Sequence, residues 1–230
     1  MFPEGGEKLR TRRRSCFTIA TDGVRIKTAK RRAWLEEDEA EGYHDTTAVV
    51  ASVAPAILQL HAELGGRITY VFGELYGGEG EEAVQSEIVY CKSVSFLCFD
   101  VAVDGVFVDY ARVLEVGARA ELPCLQPLFS GPLNKCLQFS PDFASTVPAL
   151  HGEKASSRAE GVVVKSSVEL AVQDAKGCTV RAVTKIKCAR FREVIATYVR
   201  PTWLFFFVSL LPVCREPPRA ARRRRWWTGT

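Results

Sequence analysis

The chain has 230 residues, of which 47% are hydrophobic and 25% charged, with a net charge of +4. That length allows one large domain or two small ones, and the ordinary globular balance excludes wholesale disorder. The charge is uneven: residues 1–34 hold ten Lys/Arg against three acids, residues 181–230 hold twelve against Glu193 and Glu216, and the acidic block EEDEAEGYHD lies between. Two basic ends suit a polyanionic partner, RNA or DNA, unless they are solvated tails.

In chain order, FTIATDGVRIKT reads as a β-hairpin around Asp22-Gly23, the dipeptide favoured in type I′ turns. The acidic stretch 36–45 reads as a loop. Val49, Val53, Ile57, Leu60 and Leu64 recur at helical spacing across 46–64, closed by Gly65-Gly66, with Pro55 expected to kink or restart that helix. ITYVFGELYGG reads as a strand entering a glycine-rich turn, and VSFLCFDVAVDGVFVDY as a second hairpin turning at Asp104-Gly105. Residues 117–158, rich in Pro, Ser and Gly, read as a poorly ordered insert with short helical pieces. EGVVVKSS and CTVRAVTKIKCARF supply further strands. Many antiparallel strands with one or two helices, and no βαβ alternation, predict an α+β domain.

The eight cysteines form no CxxC pair and there are only three histidines, so no zinc spacing arises. No signal peptide precedes them, which points to a reducing compartment, cytoplasmic or nuclear before secreted, with mitochondria left open although the N-terminus, with Glu4 and Glu7, is a poor presequence. The longest apolar run, WLFFFVSLLPVC at 203–214, is too short to cross a bilayer as a helix. No stable membrane insertion is expected from it; a terminal strand followed by a disordered Arg-rich tail is. No G-x-G-x-x-G and no P-loop occurs, so a phosphate would have to be held by side chains.

Side chains alternate along a strand, so Lys185 and Lys187 project together while Thr184 and Ile186 face the core. Two like charges on one face repel unless an anion lies between them. Glu74 shares a face with Phe72 and Tyr76, and the same alternation sets Phe99 opposite Asp100. A charged residue on a strand is ordinarily a solvated one. Here an ordered series of them follows along the chain: AKR (29–31), VFGEL (71–75), CFD (98–100), EGVVVK (160–165) and KIKCARF (185–191).

That series resembles the covalent nucleotidyltransferases, most closely the RNA ligases of the phage RNA ligase 2 and RNA-editing ligase type, over residues 7–193, with 194–230 outside the domain. The resemblance implies an adenylation domain of antiparallel sheets with flanking helices. It also implies an ATP- and Mg²⁺-dependent enzyme that joins an RNA 5′-phosphate to a 3′-hydroxyl through a lysyl-AMP. By the same resemblance, Lys8 is the nucleophile, Lys185 and Lys187 clamp the α-phosphate, and Glu160 serves the nucleophile and the metal. Glu74 holds the ribose, Phe99 stacks on the adenine, Arg31 meets the phosphate or the RNA end, and Lys165 lines the same pocket. Glu160 and Lys165 fall on opposite faces of an ideal strand, so a bulge or bend is required if both reach one ligand. The sequence departs from the family at Glu7-Lys8-Leu9, where Arg10-Thr11 stands in place of His-Gly. Three readings stay open there: a garbled exon edge, an inactive relative that binds RNA or nucleotide, and a working enzyme with an altered motif. The DNA ligase and mRNA-capping branches use a Lys-x-Asp-Gly nucleophile, which nothing at Lys8 resembles.

Overall fold

The computed structural model describes residues 16–30, 33–34, 46–80, 83–84, 90–152, 158–174, 177, 179–189 and 205–209. The first expected hairpin forms, with β1 (Cys16–Thr21) antiparallel to β2 (Ile26–Lys30). Its turn is longer than the two-residue Asp-Gly form. Thr21 pairs with Ile26, leaving four residues between, and Asp22 Oδ1 accepts the N–H groups of Val24 (3.1 Å) and Arg25 (2.8 Å). An aspartate side chain standing in for backbone is what favours the wider loop. The second hairpin follows the dipeptide rule. β5 (Ser95–Val103) turns directly into β6 (Val106–Phe107), with Asp104 at φ 49° and Gly105 at φ 87°, both positive as a type I′ turn requires.

β4 (Thr69–Tyr76) pairs with both β1 and β5, and the short β3 (Ala33–Trp34) extends β2, giving a first sheet ordered β3-β2-β1-β4-β5-β6. Helix α1 (Thr46–Leu64) covers one face with α2 (Tyr110–Arg119). Val49, Val53, Ile57 and Leu60 of α1 meet Phe17, Ile19, Val71 and Leu75 of the strands, each buried aliphatic contributing roughly 1.5–3 kcal/mol. Pro55 neither ends nor restarts α1. It lies on the exposed side, where water can satisfy the carbonyl it orphans. Among the described residues α1 is the one helix long and apolar enough to cross a bilayer, yet its apolar stripe is spent on this core.

The opposite face of the first sheet carries a second core of Phe72, Tyr76, Leu97, Phe99 and Ala102, joined by Leu125, Val147 and Ala159. A second sheet is ordered β11-β8-β12-β7, from β7 (Phe129–Pro132), β8 (Gly161–Ser166), β11 (Val183–Lys187) and β12 (Phe205–Ser209). Beside it runs a ribbon of β9 (Ala171–Gln173) and β10 (Thr179–Arg181). The expected long CTVRAVTKIKC strand is therefore broken at buried Ala182. β12 comes from the apolar run after Arg200 and pairs with β8 and β7.

Residues 117–152 are not a poorly ordered insert. They hold the end of α2, β7, α3 (Leu133–Leu137) and a 3-10 turn at Pro148–His151. Proline and glycine punctuate this segment, but Leu125, Cys136, Phe139, Phe143 and Val147 are spaced to dock on the two sheets. Antiparallel sheets with a few flanking helices make the domain α+β, as expected.

Candidate functional site

The site is built from the ends of β8 and β11. Their antiparallel register pairs Lys187 with Gly161 and Lys185 with Val163, so both ammoniums leave the sheet on one face while Ile186 packs into the core on the other. Uninterrupted alternation would send Glu160 to the core side. Gly161 prevents that: its φ of 155° breaks the alternation, and a Cβ there would lie 2.2 Å from the Ile186 carbonyl oxygen. Only glycine lets the two strands approach so closely. The bend brings Glu160 Oε1 to 3.3 Å from both Lys185 Nζ and Lys187 Nζ. The break in alternation falls at the first residue of the strand and sets Glu160 on the face of Lys185 and Lys187.

The environment acts on these groups unequally. Burial pushes the Glu160 carboxyl up, but Lys185 and Lys187 outweigh it and hold it below its ordinary value. Burial pulls the Lys185 ammonium below its ordinary value despite the opposing pull of Glu160 and Glu74. The Glu74 influence is informative, because that residue comes from the other sheet. It is 5% exposed on β4, on the face shared with Phe72 and Tyr76. Tyr90 feels both carboxylates: burial first, then Glu74 and Glu160, push its hydroxyl up to about 12. Glu74, Glu160, Lys185 and Lys187 thus belong to one electrostatic neighbourhood.

Phe99 reaches the same side of the first sheet by an irregularity. The β4–β5 register pairs Phe72 with Asp100 and Gly73 with Cys98, so Phe99 is an extra residue with no partner opposite. This β-bulge overturns the expectation that Phe99 and Asp100 face opposite ways. Phe99 packs with Phe72 and Leu97 in the second core, while Asp100 meets Lys165 and Arg181 from beyond the first sheet.

Lys165 has different surroundings from those expected of a pocket-lining residue. It shares a face with Lys185 and Lys187, but it is only 4% exposed. Its Nζ donates to the Phe99 carbonyl and to Asp100 Oδ1, each at 2.8 Å, and sits 3.6 Å from the centre of the Tyr110 ring. Arg181 completes the cluster, donating to Asp100 Oδ2 (2.8 Å) and to Glu169 Oε2 (2.7 Å). Burial pulls Lys165 down and pushes Asp100 up, and for Asp100 the two cations win.

Lys8 and Arg31 lie outside the described residues. Sequence reasoning passed over Tyr90, Arg181 and the Tyr76–His151 pair, whose hydroxyl and Nε2 are 2.8 Å apart. Tyr90 stands in no motif and had no signal to find it. Arg181 did have one, four positions before Lys185 in the same strand-like run. No group of three or more metal-ligating side chains occurs among the described residues. A magnesium ion still fits the donor set. Mg²⁺ takes one or two carboxylates plus substrate phosphates, and Glu160 would supply the protein's share.

Chemically, two largely buried ammoniums sharing one carboxylate could exchange it for another anion. Paired side-chain cations without a glycine cradle are suited to a phosphate that must gain charge during reaction. Two solved structures of the Naegleria gruberi RNA ligase are similar to this chain. One is a lysine-to-alanine variant with ATP and Mn, at 14% identity and a TM-score of 0.48, covering 79% of this chain and 49% of that one. The other is a lysine-to-methionine variant with AMP and Mn, at 14% identity and 0.46, covering 79% and 48%. The chain spans about half the length of these structures. No curated protein matches it significantly. The family model described as RNA ligase matches residues 14–187, well over half of the chain and every element of the site just described. The chain belongs to the RNA ligase family.

Proposed function

We propose that the chain is the adenylation domain of an ATP-dependent RNA ligase, acting on RNA with 5′-phosphate and 3′-hydroxyl ends. The observation that supports this reading is the Glu160 carboxylate held between Lys185 and Lys187 on one face of the second sheet, with Glu74 of the first sheet within electrostatic reach of Lys185. In the first step the lone pair of a lysine amine, Lys8 by its position in the sequence, attacks the α-phosphorus of ATP. The P–N bond forms as the bond to pyrophosphate breaks. That amine must be neutral to attack, although an unperturbed lysine titrates near 10.4. Neighbouring cations favour the neutral form.

Lys185 and Lys187 hold the non-bridging α-phosphate oxygens and oppose the charge that builds there. Their 3.3 Å contacts to Glu160 are long for ion pairs, so an incoming phosphate can take the ammoniums over at small cost. Glu160, so released, would carry the divalent ion, which supplies further positive charge to the phosphates. Glu74 would receive the ribose hydroxyls and Phe99 would stack on the base. A 5′-phosphate oxygen of RNA then attacks the same phosphorus and frees the lysine. Finally the 3′-hydroxyl attacks the RNA phosphate and expels AMP.

Arg10-Thr11 in place of His-Gly favours a second reading, a relative that binds nucleotide or RNA without forming the adenylate. Incubation with α-labelled ATP and Mg²⁺ separates them. An acid-labile label on the protein, mapped to Lys8, supports the ligase. Retained ATP binding without label supports the second reading. Neither label nor binding, even after residues 10–15 are restored to the family pattern, would count against both.

A further inference from the structure

We infer that Arg181, braced by Glu169, is a positioning residue that fixes the base end of the nucleotide site relative to its phosphate end; this rests on the nucleotide reading above. The bulge leaves Phe99 without a partner opposite on β4, and its carbonyl is held instead by Lys165 Nζ from the second sheet. Lys165 binds Asp100 with the same ammonium, and Asp100 is the next residue after Phe99. The remaining aspartate oxygen goes to Arg181, whose Nη2 also lies 3.2 Å from Asp100 Oδ1.

Arg181 is fixed from behind as well. Its guanidinium lies 3.5 Å from the centre of the Phe107 ring, which is 5.4 Å from Phe72 on the face that carries Glu74. Nη2 and Nε both donate to the Glu169 carboxylate. Through buried Ala182, Arg181 leads directly into β11 and hence to Lys185 and Lys187. The guanidinium therefore ties the strand that bears the phosphate-binding lysines to the bulge that bears the stacking ring. Burial pulls the arginine down, but Glu169 and Asp100 more than reverse this and raise it. Only a planar fork can serve two carboxylates and stack on a ring at once; a lysine keeps the charge and loses the geometry.

The test compares wild type with Arg181→Lys by calorimetric titration with ATP and with inorganic tripolyphosphate, each with Mg²⁺, alongside thermal melting. Tripolyphosphate engages only the phosphate end. Arg181→Lys should lower ATP affinity about tenfold, the scale of one charge-assisted hydrogen bond, and leave tripolyphosphate affinity within about twofold. Glu169→Gln, which keeps the shape and weakens the brace, should move the ratio the same way by about threefold, and it decides the matter if Arg181→Lys does not fold. An unchanged ratio of the two affinities, whether neither falls or both fall together, overturns the assignment. Wild-type protein that binds neither ligand overturns the nucleotide reading itself, and the assignment with it.

Discussion

Strand β8 has a charged cluster at each end, and the two differ in what they leave available. At Glu160, one carboxylate faces two ammoniums at 3.3 Å, with Lys185 and Glu160 side chains 16% and 32% exposed. At Lys165, cations and carboxylates are matched, contacts are 2.8 Å, and Lys165 and Asp100 are nearly inaccessible. Both clusters set carboxylates against basic side chains. Burial and contact length decide the difference: the closed cluster has no cation to lend and joins the two sheets, whereas the single Glu160 carboxylate is shared by two ammoniums at 3.3 Å and can be traded for a phosphate.

The largest effect should come from breaking the closed cluster. Lys165→Met leaves Asp100 short of one cation and the Phe99 carbonyl without its donor, which costs about 3–5 kcal/mol for an opened buried pair. A fall in melting temperature of roughly 10 °C is the expected readout. If the variant melts with wild type, the cluster does not hold the sheets.

Emptying the open cluster should do the reverse. Lys185→Ala with Lys187→Ala should lower adenylate formation by about 10²–10³-fold, the usual loss when transition-state charge goes unopposed. Its melting temperature should fall less than that of Lys165→Met, because the ion pairs removed are longer and less buried than those of the closed cluster. Equal loss of stability and activity would make the two clusters alike.

A smaller effect is expected at the base. Phe99→Leu keeps apolar volume and removes the ring face, weakening ATP binding by about 0.5–1.5 kcal/mol in a titration. The smallest concerns acid. Glu160 has its folded value held below the ordinary one, so its contribution to stability is present above that ordinary value and is lost as pH falls through the folded one. Melting curves between pH 6 and 3 should therefore drop less steeply for Glu160→Gln than for wild type. Parallel curves would mean that the open cluster is not coupled to folding.

Much of this arrangement is legible in the sequence. Helical spacing located α1, the Asp104-Gly105 dipeptide located a type I′ turn, and alternation alone set Lys185 and Lys187 on one face. Legibility failed where alternation is interrupted. Nothing in CFD announces the bulge that turns Phe99 and Asp100 to one side of the sheet, because a bulge depends on the partner strand. The pairing of Lys165 with Asp100, 65 residues away, is likewise a tertiary fact. Gly161 is the intermediate case. A glycine after Glu160 is visible, but its purpose appears only when the Ile186 carbonyl is seen against it.

In the proposed site, Glu160, Lys185 and Lys187 would face the phosphates of one nucleotide and Glu74 its ribose. The most direct test is a crystal structure of the chain soaked with the non-cleavable analogue α,β-methylene-ATP and Mg²⁺. The account predicts density for the α-phosphate within hydrogen-bonding distance of Lys185 and Lys187, with Glu160 turned away from at least one of them. Density for the analogue elsewhere, with the Glu160–lysine contacts intact, would contradict it.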